Sequence, residues 1–211
     1  MSISVLGICG SPRKGATEYA LKFAMDIVKD TPDVETSLIT LRGKKINPCI
    51  HCDKCLKTNS YRCEVFKDDA NEIIEMWEKA DAYLVASPVY CMGVTPILSA
   101  FFSRLRPYRN KQLELKYVQL PKVGAALTAG GTRHGGQETA ADVINNFYLS
   151  RGILVAGGGG AYNGGTIWSK DELKDGALLD QVGMDTVETI ARRLVEAAKM
   201  LYYGANNLGR R

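Results

Sequence analysis

The sequence predicts an α/β fold: a doubly wound, five-stranded parallel sheet with helices on both faces. Short apolar runs of strand length alternate along the chain with apolar residues at helical spacing, a pattern typical of parallel sheets built from crossovers. Three of these runs end in loops rich in glycine and hydroxyl side chains. The 211 residues are 45% hydrophobic and 24% charged, which suits one globular domain.

The elements follow in the order strand, loop, helix. Apolar, β-prone segments predict strands at residues 3–9, 34–41, 82–86, 123–127 and 153–155. Helical periodicity predicts helices at about 20–28, 73–77, 96–105, 137–149 and 180–203, with Thr95-Pro96 as the start of the third. Residues 43–68 form a long insertion without either pattern. A loop of that length is usually functional or disordered.

Composition excludes several classes of partner. The formal net charge is +4, and the basic residues are spread along the chain, so nucleic acid is not an expected partner. No run of 18 apolar residues indicates a membrane span, and the first residues do not resemble a signal peptide, so we expect a cytoplasmic protein. In that setting six cysteines indicate metal or redox chemistry rather than disulfides.

The first loop predicts an anion site. It lies between the first strand and the first helix, where backbone N–H groups and the helix dipole favour a phosphate. Hydroxyls, positive charges and a flexible backbone are offered there by Ser11, Arg13, Lys14, Gly15 and Thr17. The alternative is a simple turn with two solvated basic residues.

Two nucleotide motifs fit this loop poorly. The Walker A spacing is met by Gly10, Gly15 and Thr17, but Ala16 stands where the lysine is required. The dinucleotide pattern G-x-G-x-x-G also fails, since Gly7 and Gly10 are three residues apart. A mononucleotide is therefore the favoured ligand.

Two further loops at the same predicted edge suit a flavin ring. An isoalloxazine needs a flat apolar or aromatic contact and backbone groups for its polar edge. We expect these from Ser87, Pro88, Val89, Tyr90, Met92 and Gly93, and from Ala129, Gly130 and Gly131. A plain glycine turn is the alternative for the second loop. The later glycines at 157–160 and 164–165 are expected to form only a turn, although Tyr162 is within possible reach of a flavin.

Four cysteines in the insertion form the pattern C-x2-C-x2-C-x7-C: Cys49, Cys52, Cys55 and Cys63. Consecutive x2 spacings favour an iron-sulfur cubane, whereas structural zinc sites usually pair two separated knuckles. Zinc or free thiols remain the alternatives. His51 is a weak candidate ligand. Cys9, Cys91 and His134 are interpreted as core or surface residues without a chemical role.

These motifs resemble the iron-sulfur flavoproteins within the NADPH-dependent FMN reductase group of flavodoxin-like proteins. The resemblance rests on G-S-P-R-K-G-x-T at 10–17, the cysteine pattern at 49–63 and S-P-V-Y-x-x-G at 87–93. It implies strand order 2-1-3-4-5, FMN in the three loops, a [4Fe-4S] cluster on the four cysteines and a homo-oligomer, either a dimer or a tetramer. Ala16 departs from the asparagine that relatives often carry, which implies one phosphate hydrogen bond fewer.

The leading hypothesis is an oxidoreductase that passes electrons between a ferredoxin-like or NAD(P)H donor and small oxidants through FMN and [4Fe-4S]. No side chain stands out as a catalytic acid or base. The alternative is an NAD(P)H-dependent FMN or quinone reductase with a structural zinc or metal-free cysteine loop. A third hypothesis is a non-enzymatic binding protein, suggested by the exposed loop and the basic tail at 209–211.

Overall fold

The computed structural model describes residues 2–114, 122–170 and 174–209. The strands are β1 (Ile3–Cys9), β2 (Val34–Thr40), β3 (Ala82–Pro88), β4 (Val123–Gly130), β5 (Leu154–Val155) and β6 (Gly165–Trp168). The helices are α1 (Ala16–Lys29), α2 (Lys54–Lys57), α3 (Ala70–Lys79), α4 (Pro96–Arg104), α5 (Tyr108–Glu114), α6 (Gln137–Ser150), α7 (Lys174–Leu178) and α8 (Gln181–Asn207). Arg210 and Arg211 of the predicted basic tail lie outside the described residues.

The sheet is parallel, and its order β2-β1-β3-β4-β5 confirms the prediction. Its fifth position differs from the expectation because two segments share it. β5 pairs with the start of β4 at Val123 and Gly124, and β6 pairs with its end from Leu127 to Gly130.

The glycine-rich segment before β6 was expected to be only a turn, but its last residue begins a strand. A Cβ on Gly164 would lie 2.6 Å from the carbonyl oxygen of Ala126, so the chain re-enters the sheet where only glycine fits. Periodicity missed β6 because four residues are too few to show an alternating pattern.

Alternate residues of β1 point to opposite faces of the sheet, and each face has its own apolar core. Ile3 and Val5 pack with α1 and α8, while Leu6 and Ile8 pack with α3, α4 and α6. Crossovers to both faces are the expected covering of a parallel sheet, since neither face of such strands is solvated. The doubly wound class is therefore confirmed.

The start of α4 connects two of the loops at the carboxyl edge. The Thr95 hydroxyl accepts a hydrogen bond from the Leu98 N–H at 3.4 Å and donates to the Gly10 carbonyl at 2.8 Å. Pro96 occupies the first helical position, as predicted. Within the described part of the chain, no helix is both long and apolar enough to cross a bilayer.

Candidate functional site

A small pocket, here called the edge pocket, opens at the carboxyl ends of β1, β3 and β4. Its lining includes residues from all three predicted loops: Ser11, Arg13, Gly15, Thr17, Pro88, Val89, Tyr90, Ala129 and Gly131. Carboxyl ends of neighbouring parallel strands meet at one edge, which is why loops distant in sequence converge there. Ala16 and Ser169 also line the pocket and were not predicted. Ser169 directly follows β6, so its place depended on a strand that periodicity did not reveal.

Five predicted residues do not line the edge pocket. Lys14 is exposed, Gly93 lies at the end of a tight turn, and Met92 lines a neighbouring cavity instead. Ser87 is fully buried, and its hydroxyl accepts from the Thr95 N–H at 3.1 Å and donates to the Pro88 carbonyl at 2.9 Å. Ser87 therefore shapes the loop.

Gly130 allows a close approach between the end of β4 and the Gln137 side chain. A Cβ there would lie 2.6 Å from the carboxamide of Gln137, which donates to the Thr132 carbonyl at 2.8 Å. Gly130 therefore brings the end of β4 against α6, and this contact positions the neighbouring Ala129 and Gly131 at the pocket.

The N-terminus of α1 faces the edge pocket without a side-chain cap. Gly15 occupies the N-cap position in an extended conformation, so the first N–H groups of the helix are free to bind an anion. The Ser11 hydroxyl accepts from the Arg13 N–H at 3.3 Å and donates to the Arg13 carbonyl at 2.8 Å, which holds the loop in a tight turn. Thr17 is buried in the first helical turn.

The negative charge of one acidic residue in this first turn is compensated by two cations. The carboxylate of Glu18 contacts Arg42 at 2.5 Å and Lys22 at 2.8 Å. Burial alone would raise the pKa of Glu18, but hydrogen bonds from Arg42 and Lys22 outweigh burial and lower the pKa. Glu18 therefore stays ionised, and its two cations offset the repulsion it would exert on a bound phosphate.

A strained turn presents Tyr90 to the edge pocket. Tyr90 and Gly93 exchange two backbone hydrogen bonds of 2.9 Å, and the intervening Cys91 and Met92 both have positive φ, at 48° and 64°. Two consecutive non-glycine residues in the left-handed region are costly and occur mainly where surroundings or function require them. Tyr90 and Met92 are both about half exposed, and Tyr90 lines the edge pocket.

A larger cavity of about 790 Å³, here called the side cavity, lies next to this turn. It is lined by Met92, Tyr162 and Trp168, with Arg133 and Lys170 placed 4.8 and 4.9 Å from the centroid of the Trp168 ring. Tyr162, a possible flavin contact from sequence, thus lines the side cavity rather than the edge pocket. The side cavity is large enough for a second small molecule beside the edge pocket.

The four predicted cysteines line a second pocket, here called the cysteine pocket. Its other lining residues include the apolar Ile50, Val65 and Phe66 and the two arginines Arg104 and Arg106. Burial raises the pKa of the Cys55 thiol, and the proximity of Cys49 and Cys63 raises it further, although a backbone hydrogen bond at Leu56 opposes them. The tertiary structure therefore brings these four thiols to one place.

Two residues with left-handed backbone conformation lie between the cysteines. His51 and Asp53 have φ values of 55° and 57°, so the chain reverses between successive cysteines. The His51 side chain is exposed and does not line the pocket, while its N–H donates to the Cys49 sulfur at 3.4 Å. Asp53 is bound by Arg106, whose Nε lies 3.0 Å from its carboxylate.

Side chains from three helices hold the cysteine backbone. The Cys49 N–H donates to the Ser103 hydroxyl at 3.0 Å, and the Cys63 N–H donates to the side-chain Oδ1 of Asn71 at 3.1 Å. The side-chain amide of Asn110 donates to the Cys55 carbonyl at 2.9 Å. Ser103 lies near the end of α4, eight residues after Thr95. At 1.5 Å per residue, the two pockets are associated with opposite ends of a helix roughly 13 Å long.

The described residues, 2–114, 122–170 and 174–209, hold no group of three or more His, Cys, Asp or Glu arranged to bind one metal ion. The four cysteines line one pocket without forming a closed set of ligands. Their donor chemistry fits an iron-sulfur cluster, which is held by four thiolates, and it also fits a four-cysteine zinc site.

Sequence comparison finds similar proteins over most of the chain. The sequence model of the family described as NADPH-dependent FMN reductase matches residues 3–165. An iron-sulfur flavoprotein of Archaeoglobus fulgidus is 39% identical over 194 residues, covering 91% of this chain and 95% of the relative. An iron-sulfur flavoprotein of Methanocaldococcus jannaschii is 36% identical over 199 residues, covering 93% of this chain and 98% of the relative.

Solved structures share the fold. A flavone reductase matches with a TM-score of 0.67 at 17% identity, covering 95% of this chain and 65% of the other. An NADH:FMN oxidoreductase matches with a TM-score of 0.61 at 19% identity, covering 96% of this chain and 90% of the other. At these identities the similarity establishes the architecture alone.

Proposed function

This chain belongs to the NADPH-dependent FMN reductase family and is an FMN-dependent oxidoreductase; we propose that it works as an iron-sulfur flavoprotein. In this proposal FMN occupies the edge pocket, and a [4Fe-4S] cluster is held by Cys49, Cys52, Cys55 and Cys63. When bound, FMN exchanges a hydride or single electrons, whereas the cluster exchanges one electron at a time. The non-enzymatic hypothesis is wrong, because the family is one of reductases.

The observation that carries the proposal is the convergence of four cysteines, distributed over fifteen residues, on one largely apolar pocket. Neighbouring thiolates repel one another unless a metal compensates their charge. Close relatives whose names state an iron-sulfur flavoprotein match more than nine-tenths of the chain. Spacing, clustering and relatives therefore support the same cofactor.

In the edge pocket the chain's own residues supply binding and orientation. The free N–H groups at the start of α1 and the Thr17 hydroxyl suit the phosphate of FMN, with Arg13 adding positive charge at the rim. Tyr90 offers a flat aromatic contact to the ring, and the backbone at Ala129 and Gly131 offers hydrogen-bonding groups to its polar edge. We assign no catalytic acid or base.

The side cavity supports the proposal that a small oxidant or a nicotinamide binds next to FMN. Met92 lines it, and Tyr90 of the same turn lines the edge pocket. A ligand there would approach the flavin without a separate binding domain. We propose a ferredoxin-like protein or NAD(P)H as donor.

The two pockets lie at opposite ends of α4, which supports a homo-oligomeric protein. Electrons moving between cofactors of one chain would cross the length of that helix. A dimer or tetramer in which the cysteine pocket of one subunit faces the edge pocket of its neighbour would shorten the path.

The test is anaerobic purification followed by iron, sulfide and flavin analysis with visible spectra before and after dithionite. We expect four iron and four sulfide per FMN, and absorption near 400 nm that bleaches on reduction. A loaded protein that passes no electrons between its cofactors would contradict the proposal.

The alternative is a plain NAD(P)H-dependent FMN or quinone reductase, which the match to the NADPH-dependent FMN reductase family model favours. It predicts that Cys49→Ala/Cys52→Ala keeps full NAD(P)H-dependent activity. Our proposal predicts that this variant loses electron transfer from a one-electron donor.

A further inference from the structure

A buried arginine beside the cysteine pocket has two nitrogens without a hydrogen-bond partner. Arg104 is the last residue of α4, and only 1% of its side chain is exposed. Neither Nε nor Nη2 has an acceptor among the described residues. Buried guanidinium N–H groups are almost always hydrogen-bonded, so an exception of this kind requires an explanation.

The remaining nitrogen fixes the orientation of this guanidinium. Nη1 donates to the Asp68 carboxylate at 2.7 Å and to the Asn47 carbonyl at 3.0 Å. The Phe66 ring lies 5.2 Å from the guanidinium carbon. These two acceptors bind Nη1 only, so the other edge of the guanidinium, with Nε and Nη2, still has N–H groups to donate.

Arg104 lines the same pocket as the four cysteines. A four-iron cluster on four thiolates carries net negative charge, and hydrogen bonds to its sulfurs are among the features that set its potential. A buried cation with free N–H groups is the complement of such a ligand, because both charges are compensated out of water.

We propose that Arg104 donates Nε–H and Nη2–H hydrogen bonds to the sulfur atoms of the cluster and thereby raises its reduction potential. This inference rests on the proposed function. Reduction adds one electron from a donor to the cluster, and the fixed positive charge stabilises the added negative charge. Asp68 and Asn47 act as positioning residues, since they hold the guanidinium by its other edge.

Arg106 provides a matched comparison in the same pocket. Both of its bonded nitrogens, Nε and Nη2, contact Asp53, and its side chain is 20% exposed. Solvent screens its charge, and its donors on that edge are already used. Replacing Arg106 should therefore change the cluster less than replacing Arg104.

The competing explanation is that Arg104 has only a structural role, in which it bonds Asp68 and Asn47 and does not contact the cluster. The two explanations differ in the coupling between the labelled arginine nitrogens and the reduced cluster. If Arg104 is a donor, its nitrogens couple to the reduced cluster, and Arg104→Gln shifts the cluster potential to more negative values. If Arg104 only holds Asp68 and Asn47, its nitrogens show no coupling, and Arg104→Gln and Asp68→Asn shift the potential only through the charge that each removes, in opposite directions.

The experiment uses the loaded protein grown with guanidino-¹⁵N arginine, reduced with dithionite and studied by pulsed EPR with a redox titration. We expect ¹⁵N coupling to the reduced cluster in wild type and in Arg106→Gln, and its loss in Arg104→Gln and Arg104→Lys. For Arg104→Gln we expect at least a tenfold change in the reduction equilibrium, which is about 59 mV for one electron. Arg106→Gln should shift less.

The outcomes separate this inference from the proposed function. Wild-type protein without iron and sulfide would overturn both together. A loaded wild type without ¹⁵N coupling, or an Arg104→Gln potential equal to wild type, would overturn this inference alone. If Arg104 variants fail to assemble the cluster, coupling that persists in Arg106→Gln still supports Arg104, and coupling that disappears there contradicts it.

Discussion

The edge pocket and the cysteine pocket are built in different ways. Backbone hydrogen bonds between neighbouring elements hold the loops of the edge pocket: Gly10 to Ala86 at 2.7 Å, Val89 to Ala129 at 2.9 Å and Ser169 to Gly130 at 2.8 Å. The cysteine loop instead depends on individual side chains of α3, α4 and α5. We infer that one pocket inherits its shape from the sheet, while the other depends on a few contacts that single substitutions can remove.

The largest expected effect is the complete loss of one cofactor with retention of the other. Cys49→Ala/Cys52→Ala should contain no stoichiometric iron or sulfide, because two cluster ligands are gone, and should still bind one FMN per chain. Cofactor analysis of anaerobically purified protein measures both. Cys91→Ala is the control, since Cys91 lies outside the cysteine pocket and should leave iron unchanged. Loss of FMN together with iron would show that the two pockets depend on each other.

A substitution in the edge pocket is expected to weaken FMN binding and leave the iron content unchanged. Thr17→Val keeps the side-chain shape and removes the hydroxyl, which we expect to weaken FMN binding about 10- to 100-fold, or roughly 1.5–3 kcal/mol for a hydrogen bond to a charged group. Thr17→Ser is the matched control and should bind nearly as well as wild type. Titration of the flavin-free protein with FMN measures the change. Iron content should stay constant, and a fall would contradict the independence of the pockets.

Asp68 makes the stability of the cysteine loop dependent on pH. Burial would raise the pKa of Asp68, but hydrogen bonds from Arg104 and Asn47 outweigh burial and lower the pKa to about 2. A folded-state pKa below the unfolded value contributes stability above about pH 4 that is lost as pH falls towards 2, here about 2 kcal/mol.

Asp68→Asn should therefore lower the free energy of unfolding by about 2 kcal/mol at pH 7, and by progressively less below pH 4. Urea unfolding followed by tryptophan fluorescence measures the difference. Glu64→Gln, a neutralisation in the same loop without a salt bridge among the described residues, is the control. A difference that stays constant down to pH 3 would contradict the ion-pair explanation.

The smallest effect is expected from the loss of one hydrogen bond to the cysteine backbone. Ser103→Ala removes the acceptor for the Cys49 N–H, a loss of about 1 kcal/mol. We expect the cluster to bind but to be lost several-fold faster to an iron chelator, with unchanged FMN affinity. Ser150→Ala, which removes a similar hydroxyl at the end of α6, should not change the rate. Equal rates for Ser103→Ala and wild type would mean that the backbone alone holds the loop.

The residue pattern predicted the parallel fold class and the position of the three loops, and the resemblance to a known family implied the strand order. Apolar periodicity and the βαβ alternation depend on local properties, and the carboxyl-edge rule then places the loops together. Local spacing also singled out the four cysteines, and relatives of known name support the family. These features can be predicted without knowing which side chains contact one another in the folded protein.

Features that depend on contacts between residues distant in sequence became visible in the folded structure. Ser87 lies in a predicted flavin loop and carries a hydroxyl, yet that hydroxyl is hydrogen-bonded to Thr95 and Pro88. Ser169 reaches the edge pocket only because Gly164 allows β6 to form against β4. Arg104 gave no sequence signal, because an arginine near a helix end is normally solvated. Burial against Asp68, Asn47 and the cysteine pocket is a property of packing, which periodicity cannot report.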